Sequence, residues 1–339
     1  PYARDSSVQH LIAFPKLDST HWRSASWRDS RAGYANGRFA MDINVIWAPA
    51  ALDAIADILT ELRALGLPPA TSADPADSTL ARYASDPAAA RRAAGVWRGA
   101  ERHFLVTLAA REIEARVAAK LAWLPASESG YWERVSRTPG AVPDSLTFLA
   151  LALDSAGHPI PVENTDPATR LFLVGPRVPP GHGPVSREVL LRDVSTFVRP
   201  YPVGLFVDRV GPLVANDTYA PRDVWDVFRD DTYHSPRVVW GREVELILLG
   251  LAQQILAATD SSGAPADPAL APYVDSLRGA LRTVAGSVER SGVAHSELWS
   301  YTIHGDAATP VRYGTSSDVQ LWSTTDLAVQ YMMSRLPHR

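Results

Sequence analysis

The sequence predicts a mainly helical fold with minor β-structure and long loops. Three observations lead there. Apolar residues recur at helical spacing in six segments, short alternating runs are confined to the middle of the chain, and Pro- and Gly-rich stretches separate the segments. With 339 residues, 46% of them hydrophobic, one domain spanning 1–339 can bury a sizeable core.

The first helix is expected over 45–65, with Ile46, Leu52, Ile55, Ala56, Leu59 and Leu62 on one side and a stop at Gly66-Leu67-Pro68-Pro69. A longer one is expected from Pro87 to Trp123, with Asp86 as its N-cap and Pro87 in the first turn. Then the pattern changes. Residues 146–153, the turn Asp154-Ser155-Ala156-Gly157 and residues 158–162 read as a hairpin, and 171–174 and 203–207 as further short strands. Helices follow over 186–198, 237–258, 268–291 (ending at Gly292) and 318–336. Residues 175–184 are crowded with Pro and Gly and read as an exposed loop, and 68–78 and 260–267 as the only disordered tracts.

Composition narrows the function classes. A net charge of −4 argues against nucleic acid or an anionic membrane as the main partner. Lys16 and Lys120 are the only lysines, so arginine carries nearly all positive charge. Cysteine is absent, which removes disulfides and thiolate metal sites. No uninterrupted apolar run reaches transmembrane length, the longest being 246–252. Phosphate loops, dinucleotide fingerprints, nucleophile elbows and zinc-protease pairs are all missing from the sequence. Paired carboxylates are then the natural engine, with no cofactor and no metal.

Three constellations carry chemistry. Residues 22–44 pack two tryptophans, four arginines, two aspartates and two asparagines into one loop. Indole faces beside carboxylates and amides suit a sugar ring, whose C–H faces stack and whose hydroxyls need forked donors and acceptors. Asp29, between two Trp-bearing turns, reads as a carboxyl desolvated enough to keep a proton; Asp42 reads as a helix cap or a hydroxyl binder. The second constellation is 233–243, where Trp240 and Glu243 share a helix face and Glu243 needs a partner that Arg242 or a ligand supplies. His234 has no neighbouring His or Cys and does not read as a metal ligand. The third is Ser296-Glu297-Leu298-Trp299-Ser300-Tyr301, in which alternation places Glu297, Trp299 and Tyr301 on one strand face, followed by Gln320-Leu321-Trp322-Ser323.

At these three places the chain resembles the six-hairpin, (α/α)6-toroid glycoside hydrolases, in particular trehalase-like and mannosyl-oligosaccharide-glucosidase-like families and uncharacterised bacterial relatives. Trp27-Arg28-Asp29-Ser30, Arg38-Phe39 and Asp42-Ile43-Asn44 match the acid loop and toroid-helix entry, and residues 296–301 and 320–323 match the base strand and the helix entry after it. The family's Gly-Trp dipeptide is Leu321-Trp322 here, and Arg28 replaces the usual small residue before the acid. The resemblance implies an inverting glycosidase with Asp29 as acid and Glu297 as base. Inversion needs the two carboxyls roughly 6.5–9.5 Å apart. Trp22, Trp27, Trp240, Trp299 and Trp322 would wall the sugar, and Arg28, Arg38, Asp42, Asn44, His234, Glu243, Tyr301 and Gln320 would hold its hydroxyls. A toroid has twelve helices, so the chain reads as its C-terminal part, completed by an N-terminal segment or a second chain. A periplasmic or secreted location suits an oligosaccharide substrate. Three rivals stand beside this reading: Glu243 as base with Glu297 only binding, a phosphorolytic toroid enzyme, and a non-catalytic carbohydrate-binding or assembly protein.

Overall fold

The structure, a computed structural model, describes residues 1–30, 32–67, 78–174, 185–313 and 325–337. Among the described residues about half are helical, in 11 helices, with several small antiparallel sheets between them. This mixed α and β architecture corrects the (α/α)6 expectation. A toroid is built from helical hairpins alone, whereas here two- and three-stranded sheets interrupt the helices at each stage of the chain. The expectation of a chain completing the toroid rested on that helix count.

The opening loop leads into one continuous helical segment, Asp42–Trp47 wound as a π-helix and Ala48–Ala64 as an α-helix. It packs on helix Pro87–Arg98, and the ion pairs Arg98–Asp53 and Arg91–Asp57 tie the two together. Joined this way, residues Asp42–Ala64 are long and apolar enough to cross a membrane by length and composition, with a mean hydropathy of 1.4 over the most apolar window. The run was invisible as uninterrupted apolar sequence because Asp42, Asn44, Asp53 and Asp57 break it.

The expected helix 87–123 is divided. Helix Pro87–Arg98 ends, a 3-10 turn and strand Leu105–Ala109 follow, and helix Ala110–Trp123 begins. The strand pairs antiparallel with Ser145–Leu149, so a partner remote in sequence captured an apolar run that local periodicity assigned to a helix. Residues 152–153 and 159–160 pair across the predicted turn, with Ala152 and Leu153 also pairing to Ala40 and Phe39. The expected strand 171–174 lies largely in helix Pro167–Leu173, entered from the buried strand Glu163–Asn164. Helices Arg187–Val198, Gly241–Ala258 and Ala271–Ser291 fall where periodicity placed them. Ser186 caps the first by accepting the Val189 N–H, and Gly292 closes the last at φ 70°. Residues 260–267 are ordered rather than loose: the Asp260 carboxylate accepts N–H groups from Ser262 and Ala264.

The largest apolar cluster gathers these later helices around Trp132, Phe197, Ile247, Leu277, Val284 and Trp299. A second, built on Phe14, Tyr34, Val162, Val214, Trp225 and Leu298, lies beneath the tryptophan loop and supports Trp27, Ile43 and Trp240 from below. The predicted functional segments therefore rest on packed core.

Candidate functional site

Arg28 is the centre of the site. It is wholly buried, and its Nε and Nη2 donate to Asp166 Oδ1 at 3.0 and 2.8 Å while Nη2 also reaches the Val214 carbonyl at 2.9 Å. Asp166 ends the Glu163-Asn164-Thr165 stretch, and its backbone N–H is held by the Asn164 side chain. The Trp27 indole donates to the same Asp166 oxygen at 3.2 Å, with the Arg28 guanidinium over its ring at 4.4 Å and the Arg242 guanidinium at 5.1 Å. Gly33 permits this fold of the loop, since a Cβ there would stand 2.3 Å from the Arg28 carbonyl oxygen.

Around Arg28 and Asp166 stand two more buried carboxyls. Asp42, the first residue of the π-wound turn, accepts at Oδ2 from Ser26 at 2.7 Å and Tyr34 at 3.0 Å. Its Oδ1 is buried without a hydrogen-bond partner among the described residues. Burial, reinforced by the nearby Asp166 charge, pushes the Asp42 carboxyl up to about 7. Glu243, in the first turn of helix Gly241–Ala258, pairs through Oε1 with Arg242 at 2.8 Å, as its need for a partner implied. Burial raises it too, against the pull of Arg242, and its Oε2 has no partner among the described residues. The edges of the site are aromatic: His234 stacks on Trp240 with centroids 6.0 Å apart, and Trp27 stands edge-on to both.

The structure thus brings together Trp27, Arg28, Asp42, His234, Trp240 and Glu243 of the predicted set. It does not bring the rest. Asp29 is exposed, so the desolvation expected there falls instead on its neighbour Arg28 and on Asp42. Asn44 is a clamp: both ends of its amide bind the Ile12 backbone and its Nδ2 also reaches the Ala40 carbonyl. Trp22 and Arg38 line a different shallow recess with Lys16, Thr20 and Ser155. Trp299 is core, its indole N–H bound to the Val210 carbonyl at 2.8 Å. Tyr301 is buried against Trp132 and reaches the Pro236 carbonyl, so the strand face that was to wall a sugar is packed instead. Glu297 is half-buried just before strand Leu298–His304, and its carbonyl accepts the Gly241 N–H, which sets it beside Trp240. Gln320 and Trp322 lie outside the described residues.

Sequence reasoning missed Asp166, Thr165, Ser26, Tyr34 and the pair Ser30–Asp231. The dense polar run before Pro167 was the available signal for Asp166, because a buried strand ending in Glu-Asn-Thr-Asp needs partners for every group. Beside the site a cleft of about 770 Å³ is lined by Ser30, Asn36, Asp223, Asp226, Asp231 and Tyr233. On another side of loop 231–238, a cavity of about 390 Å³ holds Lys120, which pairs with Asp217 at 2.7 Å between Trp123 and Trp225. Burial lowers Lys120 and raises Asp217, outweighing their mutual attraction. Among the described residues, no group of three His, Cys, Asp or Glu is arranged to hold a metal ion. Comparison of the chain with protein-family models, with curated proteins and with solved structures returns no match.

Proposed function

We propose that the protein is a glycoside hydrolase acting on a short oligosaccharide, with Asp42 as proton donor to the leaving oxygen. One observation carries this reading. A buried carboxyl whose Oδ2 already accepts two hydrogen bonds places its proton on the bare Oδ1, close to the charge of Asp166. A pKa of about 7 leaves roughly half of this carboxyl protonated at neutral pH and most of it protonated in mild acid. Trp27 and Trp240 supply stacking faces, and Arg242 with Glu243 supplies hydroxyl contacts. The adjoining 770 Å³ cleft lies within the size range of small-ligand sites. The motif resemblance to glycosidases agrees with this chemistry and places the acid one loop earlier, at the exposed Asp29.

The test is a panel of α- and β-linked di- and oligosaccharides with the product anomer read by NMR. Asp42→Asn is expected to lower kcat by at least ~100-fold while KM changes little. The wild-type rate is expected to fall as pH rises past about 7, where the donor ionises. Undiminished turnover in Asp42→Asn refutes the donor. Tight oligosaccharide binding without release of reducing sugar would instead establish a binding protein.

A further inference from the structure

The Asp231–Ser30–His234 contacts determine which nitrogen of His234 is bare. Asp231 accepts at Oδ1 from the backbone N–H groups of Tyr233 (2.7 Å) and His234 (2.9 Å), and its Oδ2 lies 2.5 Å from Ser30 Oγ. Burial pushes that carboxyl up, but the neighbouring His234 ring, the Ser30 hydroxyl and the two backbone N–H groups outweigh it and hold it ionised, down to about 2. An ionised carboxylate only accepts, so the Ser30 hydroxyl proton points to Asp231. Ser30 Oγ is also 2.8 Å from His234 Nδ1, and with its own proton spent it can only accept there. The ring must therefore carry its hydrogen on Nδ1. In the neutral imidazole Nε2 is then a lone pair, and that nitrogen is buried without a partner among the described residues, in a ring 1% exposed against Trp27 and Trp240.

We propose that His234 Nε2 is the base of the site, and that Ser30 and Asp231 are the positioning residues that fix its tautomer and balance its charge. The proposal rests on the hydrolytic reading above. In the step, the oxygen of water bonds to the anomeric carbon as the bond from that carbon to the leaving oxygen breaks. One water proton passes to Nε2, and the leaving oxygen takes the proton of Asp42. The resulting imidazolium faces Asp231 through Ser30, with Nδ1 3.7 Å from the carboxylate. Other charged or titratable groups near the ring are Tyr233 on its own loop and, across Trp27, Arg28, Arg242 and the Asp166 carboxylate. This base replaces Glu297, expected from sequence in that role.

The decisive variant is His234→Asn, whose amide N–H retains the donor to Ser30 and removes Nε2. Its kcat on the substrate identified by the saccharide panel is expected to fall at least ~100-fold with KM held within a few-fold, while Glu297→Gln falls less. Ser30→Ala is expected to lower kcat and Ser30→Thr, which keeps the hydroxyl, to restore most of it. An independent readout is the ¹⁵N spectrum of the ligand-free protein, in which neutral His234 is expected as the Nδ1–H tautomer. An Nε2–H tautomer overturns the inference, as does turnover that survives in His234→Asn. Absence of hydrolysis by the wild type across the panel sinks the hydrolytic reading and the base step with it. Survival in His234→Asn with an active wild type sinks the inference alone.

Discussion

Arg28 shows how a single side chain organises this molecule. Its guanidinium neutralises Asp166, closes the Val214 carbonyl and lies on Trp27, all out of contact with water. Truncation leaves the Asp166 carboxylate buried without a counter-charge. Arg28→Ala is accordingly expected to cost about 3–5 kcal/mol in urea unfolding, and Arg28→Lys to recover little, because a lysine cannot span Asp166 and Val214 with a fork. Trp299 offers the contrasting case. Replacing it with Phe removes an indole hydrogen bond and part of a packed ring, so stability should drop by about 1–3 kcal/mol with KM unmoved, whereas Trp240→Phe should raise KM. At this scale much of the site was legible: Trp27, Arg28, Asp42, His234, Trp240 and Glu243 were all named from residue type and spacing. Their burial was less so. The desolvation expected at Asp29 falls on Asp42, because exposure is set by how the loop folds back on Arg28, a matter of Gly33 and Asp166 and not of neighbours in sequence.

At the scale of elements, the site depends on two helices brought into close approach. Helix Gly241–Ala258 begins two residues before Glu243 and helix Pro167–Leu173 begins just after Asp166, so their separation sets the distance between those carboxyls. Gly250 lies in that contact. A Cβ there would meet Leu171 Cγ at 2.8 Å and the backbone of Leu171 and Phe172 at 3.0 Å. The backbone cannot yield as a flexible side chain would, so Gly250→Ala is expected to destabilise by about 1–3 kcal/mol despite its better helix propensity. It should also perturb the pH profile of activity, through the altered Asp166–Glu243 spacing. Helix positions were largely readable where a 3.6-residue apolar period ran over several turns, as in Gly241–Ala258 and Ala271–Ser291. The strand Leu105–Ala109 was not, since a short apolar run fits either period and only pairing with 145–149 decides it.

For the whole molecule, buried carboxyls set the response to pH. Burial raises Asp42 to about 7, and Glu163 to about 8 in spite of nearby Arg199. Glu245 also rises to about 8, by burial and the charge of Asp326. A carboxyl raised in the native state binds its proton more tightly there than in the unfolded chain. Its contribution is complete below the unfolded value near 4 and is lost as pH climbs through 7–8. Unfolding free energy is therefore expected to decline by at least ~2 kcal/mol from pH 5 to pH 8, and Glu163→Gln to flatten part of that decline. A rising or level profile would contradict this assignment. Asp231 acts in the opposite sense, losing its contribution only in strong acid as the pH approaches 2. The global topology was the least legible level. Residues such as Phe39, Ala40, Trp240 and Leu298 form sheets through partners far along the chain, and the resemblance of three motifs carried no information about those pairings.

Lys120 has one practical consequence. The chain carries two lysines, of which Lys16 is exposed and Lys120 is sealed between indoles. Among its side chains, an amine-reactive dye should thus couple to the native protein at Lys16 alone. Slow uptake at Lys120 would then time the opening of the clamp formed by Trp123 and Trp225, giving a covalent clock for local breathing without any engineered label.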